Sequence, residues 1–369
     1  MFIKEIELLN FRNYNSEKIS FEKTINIISG ENAQGKTNLL ESIYILSLGK
    51  SFRSNRDAEM IRFGSHFCSV KAIAIYEKEG KDQKIELVYK PGEKKIRLNG
   101  IPAEKTSDLL DHVYTVIFSP EDLKIIKDEP EKRRRFLDRE LCQLKPAYYR
   151  NLGRYKKLLA QRNILLKKEP VNHDVLTVWN QALAETGSHI ILERIRFLKQ
   201  LNKLSGNIHH AISDGKEKLS LNYETCFDKK DLPETVEELQ NLLFNRMQAE
   251  QEQDIQRGNT GSGPHRDDIR IEINETDARR YASQGQQRTA ALAMKLAEIE
   301  LIRKEKEEEP ILLLDDVLSE LDEKRQHDLL AKLEGVQLFL TTADLNPLLI
   351  AKFHEYRLYQ VKDGRIKTI

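Results

Sequence analysis

Gly30-Glu31-Asn32-Ala33-Gln34-Gly35-Lys36-Thr37 has the residue types and the spacing of a phosphate cradle. The run fits G-x-x-x-x-G-K-[ST]. Its glycines let the backbone curl until the N–H groups point inward at phosphate oxygens. Lys36 reaches the β- and γ-phosphates, and the Thr37 hydroxyl binds Mg²⁺. Such a loop needs a strand before it and a helix after it. Residues 25–29 read as a short buried strand, and residues 38–46 repeat apolar groups at helical spacing, so a helix N-terminus adds its positive end. The chemistry to seek elsewhere is that of ATP with Mg²⁺.

A second candidate is Ile311-Leu312-Leu313-Leu314-Asp315-Asp316, an apolar run ending in two carboxylates. Central parallel strands buried on both faces look like this, and ligands bind at their C-terminal ends. Asp315 is then expected to hold Mg²⁺, directly or through water, and Asp316 to orient or deprotonate an attacking water. A third is Ser283-Gln284-Gly285-Gln286, opening an alanine-rich helix. As a bare sequence this is an N-capped helix; a hydroxyl, an unhindered amide and a helix dipole at Ser283, Gly285 and Gln286 also suit another anion site. Two phosphate-seeking helix ends in one chain make sense if a nucleotide is sandwiched between two copies, each supplying half of the site.

Lys36 and Asp315 lie 279 residues apart, too far for a compact nucleotide-binding core, so a whole domain must sit between them. The composition agrees. From 1 to about 120 the pattern is short strands and turns, with an Asn99-Gly100 hairpin signal. From about 130 to 252 it is long charged helices, residues 131–168 and 175–212, and after Arg257 strands return. The expected division is an ATPase lobe from 1–128 and 255–369, interrupted by a helical lobe at 129–254. The fold class is α/β, a P-loop ATPase head with an inserted, mostly helical second lobe.

Composition narrows the rest. The 369 residues exceed the usual limit of one core, and 39% hydrophobic content suffices for folding. No stretch approaches the ~18 apolar residues of a membrane span, and the first residues alternate as a strand does, unlike a signal sequence. Three scattered cysteines without a C-x-x-C pair argue for a reducing compartment, simply the cytoplasm, and against zinc. The formal net charge of +1 conceals a basic stretch, residues 124–168, with 15 Lys or Arg against 5 Asp or Glu. Arg133, Arg134, Arg135, Arg139, Lys145, Arg150, Arg154, Lys156, Lys157 and Arg162 lie there, with Tyr148 and Tyr149. Such density fits either a solvated helix face or phosphate contacts made without base readout, on single-strand or duplex DNA.

Together these elements resemble the ABC-type ATPase heads of the SMC class, where a phosphate loop faces the partner's signature helix. Asp315-Asp316-Val317-Leu318-Ser319-Glu320-Leu321-Asp322 is similar to that class's joined Walker B and D-loop. Within the class the chain resembles the RecF family of bacterial recombination mediators. The runs that carry this are Leu9-Asn10-Phe11-Arg12-Asn13-Tyr14, Pro120-Glu121-Asp122-Leu123, Arg133-Arg134-Arg135-Phe136-Leu137-Asp138 and Gly263-Pro264-His265-Arg266-Asp267-Asp268. The resemblance implies an ATP-dependent DNA-binding switch of recombinational repair, dimerising on ATP and hydrolysing it slowly. It implies work at gaps with RecR and RecO to load the RecA recombinase. Thr342, within Thr341-Thr342-Ala343-Asp344, takes the place of the switch histidine. The Phe118–Glu121 junction stands where a Q-loop glutamine is missing, and His265 becomes a candidate hinge between lobes. The alternative is another SMC-like DNA-associated head, a structural clamp or a nuclease-associated ATPase.

Overall fold

β1 (Phe2–Phe11) carries the alternation its sequence announces, with Ile3, Ile6, Leu8 and Phe11 buried and Lys4, Glu7 and Leu9 exposed. One buried face calls for a sheet with the other face in water. In the computed structural model β1 pairs antiparallel with β2 (Tyr14–Ser20) on one side and with β4 (Cys68–Tyr76) on the other. β5 (Lys81–Lys90), β6 (Glu93–Leu98) and β7 (Ile101–Pro102) complete a six-stranded antiparallel sheet. The expected hairpin at Asn99-Gly100 is there. Both residues have positive φ, 51° and 83°, which those two residue types supply cheaply.

The second six-stranded sheet joins both ends of the chain, in the order β15-β14-β3-β13-β12-β8. β3 (Ile25–Ser29), β8 (Thr115–Phe118), β12 (Ile311–Asp315), β13 (Leu338–Thr342) and β14 (Tyr356–Lys362) run parallel. β15 (Arg365–Thr368) returns antiparallel. β12 is buried along Ile311–Leu314, as its unbroken apolar run requires. α1 (Lys36–Leu48) follows β3 through the phosphate loop. The structure describes residues 1–54, 56–76, 80–122, 125–228, 232–320, 325–326, 329, 333, 335–343, 353 and 355–369. Leu123, Leu321, Asp322 and Asp344 of the family-like runs lie outside these residues.

The chain divides into two compact units, Met1–Leu123 with Lys295–Ile369, and Lys124–Met294. The insertion is therefore longer than the expected 129–254. Its strand β9 (Leu219–Glu224) pairs with β10 (Asp268–Ile273), and β10 with β11 (Thr276–Asp277). This pairing draws residues 255–294 into the helical unit, although composition alone assigned them to the ATPase lobe. Helices α2 (Pro130–Leu144), α3 (Pro146–Leu165), α4 (His173–Ile212), α5 (Val236–Ala249), α6 (Gln251–Arg257) and the short α7 (Ala278–Tyr281) belong to it. The single helix expected over 131–168 is broken at Lys145, whose φ of −130° and ψ of 95° are those of a residue preceding proline. α8 (Gln284–Lys306) carries the chain back, the division between units falling within it.

The second unit buries charge. Arg194 on α4 donates to Tyr148 (2.9 Å), to Asp138 (2.8 Å) and to the Pro264 carbonyl (2.6 Å). Arg162 donates to Asn180, Asp254 and Thr260 at 2.7–2.8 Å. His265 is no hinge. The chain crosses between units at 123–124 and 294–295, far from it, and its ring is enclosed by the Tyr155 hydroxyl (2.8 Å) and the Thr260 carbonyl (3.1 Å). Burial, with the nearby Arg266, Arg134 and Arg162 charges, pushes its pKa down to about 4. Asp267 accepts from Tyr223 (2.5 Å), while burial pushes its carboxyl up to about 6.

These two shifts oppose one another. Asp267 binds its proton more tightly when folded, so its contribution to stability falls as pH rises from 3.8 toward about 6. His265 binds its proton less tightly when folded, so its contribution rises with pH from about 4 to 6.5. Asp267→Asn removes the first effect and keeps an acceptor for Tyr223. The variant is expected to gain stability more steeply than wild type between about pH 4 and about pH 6.5. Denaturant titrations at several pH values measure both slopes, and parallel curves for the two proteins contradict this account.

Candidate functional site

The phosphate loop has the backbone its glycines were expected to allow. Gly30, Ala33 and Gly35 all have positive φ, 150°, 65° and 122°. At Gly30 the requirement is also steric, because a Cβ there would lie 2.3 Å from the Val361 carbonyl oxygen. α1 begins at Lys36 with no side-chain cap and no acidic residue in its first turn. Its leading amides therefore keep their positive potential for an anion. α1 is anchored by the buried Glu41, which takes two hydrogen bonds from Arg12, 2.8 and 2.6 Å. Lys36 is buried, its Nζ resting on the carbonyls of Gly30 (2.5 Å) and Glu31 (2.9 Å). Burial lowers its pKa, and the charges of Asp316 and Asp315 oppose that shift. Glu31, Asn32 and Ala33 are exposed at the loop's tip, with Gln34 and Thr37 half-buried.

The parallel pairing sets the second half. Asp315 pairs with Thr341 across β12 and β13, and Thr342 pairs with Ser29, one residue before Gly30. Asp315, Thr341, Thr342 and the phosphate loop thus share one edge of the sheet. The Thr37 hydroxyl donates to Asp315 Oδ1 at 2.9 Å across a separation of 278 residues. A divalent cation of the Mg²⁺ type uses one carboxylate, a hydroxyl and phosphate oxygens rather than an all-protein cage. Thr37 and Asp315 fit that donor set. Such an ion supplies charge neutralisation at the β- and γ-phosphates.

Thr341 is the residue sequence reasoning passed over. Its hydroxyl donates to Asp315 Oδ1 (2.8 Å) and accepts from the Asp316 amide (3.0 Å), so it holds the Asp315 carboxylate and the Asp316 backbone in register. The only signal was its place one residue before Thr342 on an apolar strand. Asp316 turns the chain out of the sheet with φ 54°, a conformation Asp tolerates better than most residues. Ser319 then donates to its carbonyl at 2.7 Å. At the expected junction after Phe118, the Ser119 amide and hydroxyl donate to Asp122 at 2.9 and 2.7 Å. Asp122 in turn faces Lys295 at 3.5 Å.

Ser283 opens α8 with a reciprocal cap. Its Oγ accepts from the Gln286 amide (3.2 Å), and Gln286 Oε1 accepts from the Ser283 amide (2.8 Å). The Ser283 hydroxyl still has its proton to donate. Gln286 is otherwise committed, its Nε2 donating to Glu217 at 2.9 Å.

The basic stretch needs correction. Arg133 is buried, bonded to both oxygens of Asp268 (2.7 and 2.8 Å) and to two backbone carbonyls. Arg162 is wholly buried, as is Tyr148. Arg134 donates to the Asp267 carbonyl at 2.8 Å, and Arg139 is paired with the buried Glu140 at 2.7 Å. Arg133 and Arg162 build the unit and cannot face a polyanion as they stand, while Arg134 and Arg139 are half-buried with part of each side chain committed. Lys145 is half-buried at the α2–α3 break. Arg135, Arg150, Arg154, Lys156 and Lys157 are exposed, and among the described residues Arg150 and Lys157 have no side-chain partner. Arg150, Arg154 and Lys157 share one face of α3, at the three- and four-residue spacing of a helix.

Comparison with known proteins agrees with the geometry. Residues 2–367 match the family model of the RecF/RecN/SMC N-terminal domain. The DNA replication and repair protein RecF of Clostridioides difficile (strain 630) is 41% identical over 369 residues, covering 100% of this chain and 99% of that one. A solved structure of the recombination mediator protein RecF with ATP, in the RecFOR pathway, superposes with a TM-score of 0.92. It is 38% identical, with 100% of this chain and 97% of that chain covered. An Smc head bound to the C-terminal winged-helix domain of ScpA, 17% identical, shares the fold at a TM-score of 0.56, with 100% and 97% covered. No helix among the described residues is long and apolar enough to cross a membrane. A phosphate loop, a facing acidic strand and likeness along the whole chain lead to one assignment: the chain belongs to the RecF family of SMC-like ABC-type ATPases.

Proposed function

We propose that this protein is an ATP-driven dimerisation switch on DNA, acting in recombinational repair and fork recovery as a weak, DNA-stimulated ATPase. The observation that carries this is that the chain offers two phosphate-seeking groups, the loop with Thr37–Asp315 and the Ser283 cap. ATP and Mg²⁺ bind at residues 30–37 and Asp315. The γ-phosphate then recruits Ser283 and Gly285 of a second copy, with Gln286 holding the Ser283 cap. Asp316 orients the attacking water, Lys36 neutralises developing charge, and Thr342 senses the γ-phosphate from the end of β13. Hydrolysis reopens the pair. The similar recombination mediator RecF, 38% identical, acts in the RecFOR pathway, which supports RecR and RecO as partners in loading RecA on gapped DNA. Cytoplasmic placement suits that work.

The exposed cations of α3 give the DNA contact in this reading, with Arg135 at the end of an ion pair on α2. Binding is by backbone charge, independent of sequence.

Sedimentation with ATP, with ADP and without nucleotide tests the switch. A dimer is expected with MgATP alone, and a monomer that turns over briskly in saturating MgATP overturns the reading. Lys36→Ala is expected to weaken ATP binding by about 100-fold, roughly the 3 kcal/mol of a strong charge-assisted contact. Titration calorimetry measures it. Ser283→Arg should keep ATP affinity within about twofold, since the nucleotide's own loop is untouched, yet abolish the ATP-dependent dimer. For DNA, the combined change of Arg150, Arg154 and Lys157 to Ala should flatten the slope of log K against log salt by about 3. An unchanged slope removes α3 from the interface.

A further inference from the structure

Gln34 is gripped from both ends of the chain. Its carbonyl oxygen accepts from Asn13 Nδ2 at 2.7 Å and from the Gly364 amide at 3.3 Å, and its side-chain oxygen accepts from the Asp363 amide at 2.6 Å. Asn13 uses the other end of its side chain as well, Oδ1 accepting from Asn38 on α1 at 2.8 Å. One residue further on, the Tyr14 hydroxyl donates to the Gly35 carbonyl at 2.9 Å. Space is filled to match. A Cβ on Gly35 would lie 2.6 Å from Asn13 Nδ2, and one on Gly364, where φ is +68°, would lie 2.5 Å from the Asn13 carbonyl oxygen.

These bonds act on the nucleotide through peptide planarity. In a trans peptide the carbonyl of one residue and the N–H of the next point in opposite directions. Holding the Gln34 carbonyl outward on Asn13 and Gly364 turns the Gly35 N–H inward. Holding the Gly35 carbonyl on Tyr14 and on the Leu39 amide does the same for the Lys36 N–H. These are two of the amides a phosphate loop must aim at its anion. We propose that Asn13 and the Asp363–Gly364 turn are positioning elements that preset the direction of the phosphate-binding amides. Tyr14 supplements them. None of these residues needs to touch the nucleotide, and the effect concerns phosphate, so the identity of the base is immaterial.

The inference rests on the ATP-binding reading of residues 30–37, and the tests separate the two. Asn13→Ala and Gly364→Ala are expected to weaken binding of MgATP and MgGTP alike, each by about tenfold, the scale of one lost hydrogen bond. kcat at saturation should stay within about twofold for both; Asn13→Ala should melt near wild type, whereas Gly364→Ala, whose added carbon must displace the Asn13 backbone, should melt lower. Gly92→Ala is the control. It has similar backbone, φ +77°, at the β5–β6 turn, but nothing lies within 4 Å of the added carbon, so its nucleotide affinity should be unchanged. Tyr14→Phe removes a single hydroxyl and keeps the inference testable if the other variants fold poorly; a loss of about threefold is expected. Wild-type affinity in Asn13→Ala, Gly364→Ala and Tyr14→Phe, or a loss equalled by Gly92→Ala, overturns the positioning role. If Lys36→Ala also binds ATP normally, the reading of the loop itself has failed instead.

Discussion

The bond from Thr37 to Asp315 depends on strand order more than on either residue. β3 ends at the phosphate loop and β12 ends at the carboxylates, and β13 pairs with both. In parallel strands the C-terminal ends lie on one edge, so loops that follow them converge there without further design. Once β13 is between them, a hydroxyl and a carboxylate 278 residues apart in sequence come within hydrogen-bond distance. Thr341, on the middle strand, then bonds the Asp315 side chain and the Asp316 amide. The site is thus a property of the sheet's edge, and the insertion is free to be large because it leaves and returns outside the pairing.

Features with short-range signatures were legible in the sequence. The phosphate loop, the buried strand before Asp315 and the Asn99-Gly100 turn each follow from a few adjacent residues and one steric or burial rule. So does the reciprocal cap at Ser283, whose Gln286 sits at the third position of the helix. The break at Pro146 was available to the same kind of reasoning, yet the charge periodicity on both sides of it hid it. Thr341 was not legible, because a threonine near the end of a strand announces nothing until the neighbouring strand is known.

The basic stretch shows where composition stops being informative. Arg133 and Arg162 are paired with Asp268 and Asp254, carboxylates 135 and 92 residues away. Removing an arginine from water is costly unless such partners are waiting. A count of charges sees only the donors, so it reads a buried framework and a solvated face as one patch. The division of the chain misled for a related reason. Residues 268–273 look like a strand of the ATPase lobe, but their partner is β9, in the middle of the insertion.

The interleaving of the two units also orders events during synthesis. The unit of residues 124–294 is contiguous, and the whole of it is synthesised before the carboxylate strand. It can therefore fold as a unit while the first 123 residues still lack their central strands. The mixed sheet has to wait. β3 is translated early, but its neighbours β13 and β14 arrive only with the last residues of the chain. Pairings of such sequence separation are slow to form. Nascent chains therefore display a finished helical unit well before they can hold a nucleotide, and a truncation near the C-terminus costs ATP binding while sparing the unit made first.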